Sequence, residues 1–208
     1  MTARHRNAPV GLPESEVLAH GLDAFAELGY DATSVRELAK RLEVSHNFIN
    51  DRYASKAGFW RAVIDEAMRP RMARMESMVA DAAHTDEQRL RHIVAELYRD
   101  AADLYVMNRI IADESGRDSD RLDYLTEHFI GPVFELWRPL LVRLLPDVPP
   151  ETVFFAITGP ALALTHEPLA RRLSGTGEVT PAERAARAED LARLVLDGLL
   201  PRLSSPAS

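Results

Sequence analysis

Residues 34–53, Ser-Val-Arg-Glu-Leu-Ala-Lys-Arg-Leu-Glu-Val-Ser-His-Asn-Phe-Ile-Asn-Asp-Arg-Tyr, leave the chain few ways to fold. They read as two short helices joined by a tight turn. Ser34 is placed to accept a hydrogen bond from the Glu37 N–H, while the Glu37 side chain reaches back to the Ser34 N–H, a capping box that starts the first helix. Val35, Leu38 and Ala39 then fall on one face. Leu42-Glu43-Val44 is the turn. Ser45 follows as a second N-cap, and Ile49 and Tyr53 mark the buried side of the second helix. His46, Asn47, Asn50 and Asp51 are left pointing outward. A short helix that offers polar side chains from its first turns is what a helix-turn-helix presents to a DNA major groove.

The flanking sequence keeps a helical period. Pro13, Glu14 and Glu16 suit the first turn of a helix over 13–28, with Leu18, Leu22 and Phe25 on one face and Gly29 as its stop. Ser55 caps another helix, whose stripe Phe59, Val63 and Ala67 continues through Met72, Met75 and Met78 to about Ala83. Pro70 inside it removes a backbone bond and is expected to kink it. Leu90, Val94, Leu97, Ala101 and Leu104 mark the next helix, and the spacing carries it towards Glu114. Residues 115–119 read as a loop, 120–145 as a long helix interrupted at Gly131-Pro132, and 146–150 as a break. From Glu151 the chain is apolar nearly all round, which predicts a helix buried on most sides. Its small residues Ala156, Gly159, Ala161 and Ala163 permit close approach of another helix. Residues 173–179 form a Gly-rich loop, and Pro181 opens a last helix with Ala188, Leu191, Val195 and Leu199 near heptad spacing. No segment shows sustained strand alternation, so the fold class is all-α.

Composition narrows the function. There is no cysteine, which excludes disulfides, thiol catalysis and cysteine metal sites and favours a reducing compartment. No apolar run approaches the ~18 residues of a membrane span, and no N-terminal run resembles a signal peptide, so a cytoplasmic protein with no membrane association is expected. The net charge of −7 argues against a general nucleic-acid coat. The charge is uneven, however: residues 1–70 hold 9 Lys/Arg against 10 Asp/Glu, and the remainder 16 against 22. A basic face on the first segment, with the acidic remainder directed away from a polyanion, is compatible with those counts. The seven histidines include no pair at the four-residue spacing of a helical metal site, and neither a Gly-x-Ser-x-Gly elbow nor a Gly-rich phosphate loop occurs. No enzyme, metal or cofactor is expected.

Phe25-Ala26-Glu27-Leu28-Gly29-Tyr30-Asp31-Ala32-Thr33-Ser34-Val35-Arg36-Glu37-Leu38-Ala39, continued in register by Val44-Ser45 and Tyr53-Ala54-Ser55-Lys56, resembles the N-terminal signature of the Tet-repressor-like (TetR/AcrR) transcriptional regulators. The likeness covers about residues 14–65. It implies a three-helix DNA-binding domain, a fourth helix linking it to a larger helical domain that encloses a small-molecule pocket, and a homodimer formed by the last two helices, here about 151–165 and 181–200. The expected organisation is a flexible basic leader with Arg4, His5 and Arg6 (1–12), a helix-turn-helix domain (13–65), a helical effector-binding and dimerisation domain (66–203) and a disordered tail (204–208). Two departures stand out. The family turn usually has Gly where this chain has Glu43, and a left-handed Glu there costs about 1 kcal/mol. Asn50-Asp51-Arg52-Tyr53 stands where the family commonly has Tyr-x-His-Phe, so the operator sequence read need not be a common one.

The candidate DNA contacts follow. Arg36 is placed for a guanine or phosphate, and His46, Asn47 and Asn50 for base edges. Phe48 is a candidate for a thymine methyl or for core. Lys56, just inside a helix N-terminus, together with Arg52, Tyr53, Thr33 and Ser45, is a candidate phosphate contact. The effector candidates are Tyr105, Met107, Ile111, Glu114, Tyr124, His128, Phe129, Trp137, Phe155 and His166. Aromatic and Met residues with a few polar groups suit an apolar ligand, and the same residues also describe an ordinary core. The expectation is a ligand-responsive regulator, most simply a repressor, that binds a quasi-palindromic double-stranded operator as a homodimer. The competing expectation is an all-α ligand-binding or adaptor protein whose helix-turn-helix no longer reads DNA.

Overall fold

The computed structural model describes residues 12–45, 47–103, 105–175 and 177–200. Among these, every regular element is a helix. The chain divides into two compact units, Met1–Pro70 and Arg71–Ser208.

The first unit contains α1 (Glu14–Leu28), α2 (Val35–Arg41), α3 (Phe48–Tyr53) and the beginning of α4 (Lys56–Ala80). Gly29 stops α1 at φ 77°, a conformation open to glycine without a Cβ clash, and its N–H bonds the Phe25 carbonyl. Val17, Leu18, Phe25, Leu38, Leu42, Ile49, Phe59, Trp60 and Val63 are buried. The Phe25 and Phe59 rings lie 6.0 Å apart and Phe25 stacks on Tyr30 at 5.8 Å. Ser55 caps α4, its hydroxyl accepting from the Gly58 N–H at 3.0 Å.

Two local features depart from the expectation. Only half of the capping box forms: Ser34 accepts from the Glu37 N–H at 3.1 Å, but the Glu37 carboxylate turns to Arg41 instead. An i,i+4 charge pair competes for the same side chain, and here it wins. Helix α3 starts at Phe48, so Ser45 is not its N-cap. The turn places Glu43 at φ 52°, the left-handed region expected from the sequence, and the Phe48 N–H meets the carbonyl of Ser45 and not its hydroxyl. The cap position belongs to Asn47, which makes no side-chain cap bond.

In the second unit, α4 runs unbroken through Pro70 and ends at Ala80, short of the expected Ala83. The stretch expected as one helix up to Glu114 is helical on both sides of Leu104, which lies outside the described residues, as α5 (Asp86–Asp103) and α6 (Tyr105–Ser115). The next is α7 (Asp120–Leu125), followed by a wider π-type turn over Thr126–Ile130 and then α8 (Gly131–Leu144). Gly131-Pro132 therefore does not interrupt the helix. Pro132 has no N–H for the regular i−4 bond, and the Gly131 N–H reaches the Thr126 carbonyl five residues back. A Cβ on residue 131 would lie 2.7 Å from that carbonyl oxygen, which is why the turn needs glycine. Then come α9 (Pro150–Ala163), α10 (Glu167–Ser174) and α11 (Pro181–Leu199). The sequence reading did not foresee α10. Thr180 and Glu183 form a complete capping box for α11.

The core of this unit joins Leu90, Ile93, Val94 and Tyr98 of α5 to Trp137, Leu140 and Leu141 of α8, Val153, Phe154 and Ile157 of α9, and Ala188, Ala192 and Leu196 of α11. The Tyr98 hydroxyl donates to the Ile157 carbonyl at 2.9 Å, and burial pushes the phenol pKa up to about 12. Asp86 pairs with both Arg89 and Arg143, tying α5 to α8.

Candidate nucleic-acid interface and effector region

Helix α3 sorts its residues as the spacing predicts. Ile49 is fully buried, whereas Asn47, Asn50, Asp51 and Arg52 are exposed and Phe48 is half-buried. His46, expected beside them, lies outside the described residues, as do Arg4, His5 and Arg6. Arg36 is exposed on α2 and makes no ion pair among the described residues, because Glu37 is taken by Arg41. Its guanidinium is therefore available.

Two proposed phosphate contacts have other partners. Thr33 is 0% exposed and its hydroxyl donates to the Gly29 carbonyl at 2.6 Å, so it closes the α1–α2 turn and is no DNA contact. Lys56 donates to the Tyr30 carbonyl at 3.0 Å, with its ammonium 4.1 Å from the Tyr30 ring centre. An ammonium has three donors, so Lys56 remains half-exposed and able to meet a phosphate while pinned in place.

The end of α3 forms a small cluster with the start of α1. Arg52 bonds the Glu14 carboxylate through Nε at 3.2 Å and Nη2 at 2.9 Å, and the Tyr53 hydroxyl donates to the same carboxylate at 3.1 Å. Hydrogen bonds from Arg52 and then Tyr53 hold Glu14 below the usual carboxylate pKa. The Tyr53 ring packs 4.9 Å from Phe59, and burial, followed by the bond to Glu14, raises its phenol pKa.

In the second unit the effector candidates do not form one site. Met107 and Trp137 are fully buried, Phe129 nearly so, and Ile111 is half-buried. Tyr124, His128 and Phe129 cluster, with the first two rings 4.3 Å apart. Tyr105 donates to the Thr165 carbonyl at 3.2 Å under the guanidinium of Arg184. Glu114 is buried, but one carboxylate oxygen accepts from Ser119 at 3.0 Å and the other from Arg121 at 2.7 Å. It joins α6 to the start of α7 and offers no charge to a ligand. Phe155 is 70% exposed and points out of the core, and His128 and His166 are exposed. The Trp137 indole N–H is buried with no hydrogen-bond acceptor among the described residues. Two surface clefts, of about 310 and 320 Å³, lie along α5 and α11 and among α9, α10 and α11. None of the ten candidates lines either.

Residues 17–63 match the family model described as bacterial regulatory proteins, tetR family. The match lies within the N-terminal unit, over its helix-turn-helix. No curated protein matches the chain. Solved structures share its helical fold. A TetR family transcriptional regulator, PfmR, from Thermus thermophilus is 19% identical over 90% of this chain and 97% of its own, with a TM-score of 0.69. The transcriptional regulator FadR from Bacillus subtilis, in complex with stearoyl-CoA, is 14% identical over 89% and 99%, with a TM-score of 0.67. The ketosteroid transcriptional regulator KstR2 of Mycobacterium tuberculosis is 18% identical over 92% and 96%, with a TM-score of 0.68. At these identities the likeness is one of fold, and it reaches over most of the chain. Among the described residues no group of three His, Asp or Glu is placed to hold a metal ion, and no helix is long and apolar enough to cross a membrane.

Two features of the N-terminal unit carry no plain mark in the sequence pattern. Glu14 looked like a dipole-stabilising helix start, and nothing in the spacing announced its link to a residue 38 positions away. Gly58 lies so close to the Tyr53 carbonyl that a Cβ would sit 2.1 Å from its oxygen. The sequence signal was present in the second case: a glycine three residues after an N-cap, inside a helical pattern, has a packing reason more often than not.

Proposed function

We propose that the protein is a ligand-responsive transcriptional repressor that binds a quasi-palindromic operator as a homodimer. The observation that carries the DNA half of this reading is the outward face of α3, where Asn47, Asn50 and Phe48 are open to a ligand, beside the exposed Arg36 of α2. Asn side chains match adenine edges and Arg matches guanine or phosphate. In such a dimer, two α3 helices enter successive major grooves about 34–36 Å apart. Selection from a pool of random duplexes at low salt tests it. An enriched motif with two half-sites is expected, and the absence of any enriched motif returns the chain to the ligand-binding or adaptor class.

The homodimer reading rests on α9 and α11. Phe155, Ala156, Gly159 and Ala163 form an open stripe on α9, and Asp190, Leu194 and Gly198 one on α11, while other faces of the two helices, with Val153, Phe154 and Ile157 and with Ala188, Ala192 and Leu196, pack into the core. An exposed Phe amid small residues is suited to packing against the same surface of a second copy. The effector is proposed to be mostly apolar with a hydrogen-bond acceptor. The unaccepted indole N–H of Trp137 and the aromatic surroundings of Phe134 and Phe154 support that class, and one structural neighbour holds a fatty acyl-CoA. Effector and operator affinities must then be reciprocally coupled. Melting-temperature shifts against a panel of acyl thioesters, sterols and free fatty acids identify the class.

A further inference from the structure

The Glu14–Arg52–Tyr53 cluster has the makings of an anion site already filled by the protein itself. Three donors converge on one carboxylate: the guanidinium edge of Arg52 supplies two and the Tyr53 hydroxyl one. A guanidinium edge facing two oxygens is equally the geometry that grips a phosphate. The site is on the surface, with Arg52 and Glu14 each about half exposed, at 48% and 51%. It closes the C-terminal end of the proposed reading helix, two residues beyond the exposed Asn50.

We propose that Glu14 is an internal stand-in for a DNA phosphate, holding Arg52 and Tyr53 until a backbone phosphate displaces it, and thereby suppressing sequence-independent binding. The proposal rests on the DNA-binding reading above. Charge favours displacement over a bridging role. While ionised, Glu14 cancels the charge of Arg52, so the pair offers a polyanion no net attraction. Tyr53 has one hydroxyl proton, and Glu14 holds it, so Tyr53 cannot donate to a phosphate until the carboxylate yields. An exposed ion pair is a weak competitor, so the exchange is cheap where base contacts hold the helix in register and unfavourable where they do not. The consequence is selectivity: both cognate and random DNA lose the same contact at the start, but only cognate DNA keeps the helix seated long enough to reclaim it.

The test uses the full chain and the isosteric Glu14→Gln, with Arg52→Gln and the double variant, on random duplex DNA and on immobilised heparin as a DNA-free polyanion. Glu14→Gln is expected to bind random duplex about 3- to 10-fold more tightly at low salt, to steepen the fall of log K with log salt by up to about one unit, and to leave heparin later. In the Arg52→Gln background the Glu14→Gln effect should shrink to the part owed to the lost charge and the freed Tyr53 hydroxyl. Weaker or unchanged binding of random duplex by folded Glu14→Gln, or an effect undiminished by Arg52→Gln, overturns the proposal. If no variant binds any duplex but heparin elution shifts as stated, the anion site stands and the DNA reading fails. If heparin elution does not move either, both fail.

Discussion

Glu43→Gly is expected to stabilise this protein. Glu43 sits at φ 52°, where an L-residue pays roughly 1–2 kcal/mol relative to its right-handed well. Its side chain is exposed and makes no ion pair among the described residues, so the substitution removes no contact. Glycine gives back about 0.5–1 kcal/mol through the greater freedom of the unfolded chain. The difference is a net gain of about 0.5–1 kcal/mol. For a chain of this size a gain of that order raises Tm by roughly 1–4 °C, and by about twice as much if the N-terminal unit melts by itself. Thermal unfolding followed by far-ultraviolet circular dichroism reads it. Glu43→Ala is the decisive control, since it removes the same charge and side chain yet keeps the Cβ in the left-handed region, and so should not gain. If Ala stabilises as much as Gly, the benefit comes from charge or solvation, and the backbone account of this turn is wrong.

Gly58→Ala should cost about 3 kcal/mol or more, because the atom its methyl would strike is a backbone carbonyl that cannot step aside; chemical denaturation reads the loss. Phe155→Ser should shift the sedimentation mass from dimer to monomer while leaving helical content unchanged, the side chain being exposed in the single chain. Lys56→Ala should weaken binding to every duplex and reduce the salt slope by about one, whereas Asn47→Ala should change which sequence a selection enriches. Asp86 is held below its ordinary pKa chiefly by the hydrogen bond from Arg143, so its stabilising effect is present above about pH 4 and is lost as pH falls through the lowered value. The Tm difference between the parent and Asp86→Asn should accordingly be largest near neutral pH and shrink in acid.

Particular residues decide how far a sequence carries. Ile49, Leu38 and Phe25 could be assigned to the core because helical spacing and hydrophobicity report the same fact. The left-handed turn at Glu43 was legible only through the family resemblance, which puts Gly at that place; nothing in the local residues announced it. Thr33 was misassigned because a hydroxyl near a helix start serves a phosphate or a turn carbonyl equally well, and only burial decides. Glu37 failed to complete its capping box because Arg41, one turn on, offered a charged partner. Phe155 was placed inside because an all-round apolar helix does not reveal which of its faces packs against the rest of the chain. Helix α10 went unseen because eight residues with no buried member carry no core-facing stripe.

The π-type turn over Thr126–Ile130 sets the tolerance of this helix to changes in length. On an unbroken α-helix the faces of Leu125 and Leu141 would differ by about 160°, so one would meet the core and the other solvent. Both are fully buried, because the wide turn absorbs one residue without advancing the helix. Removing a single exposed residue there, such as Glu127, would restore ordinary i−4 bonding and leave Trp137, Leu140 and Leu141 on the face they now occupy. The same deletion one turn later would swing that face towards solvent. Chains with this architecture can therefore differ by one residue at this place and keep a common core, and a sequence alignment that puts its gap elsewhere in the helix would pair the wrong side chains.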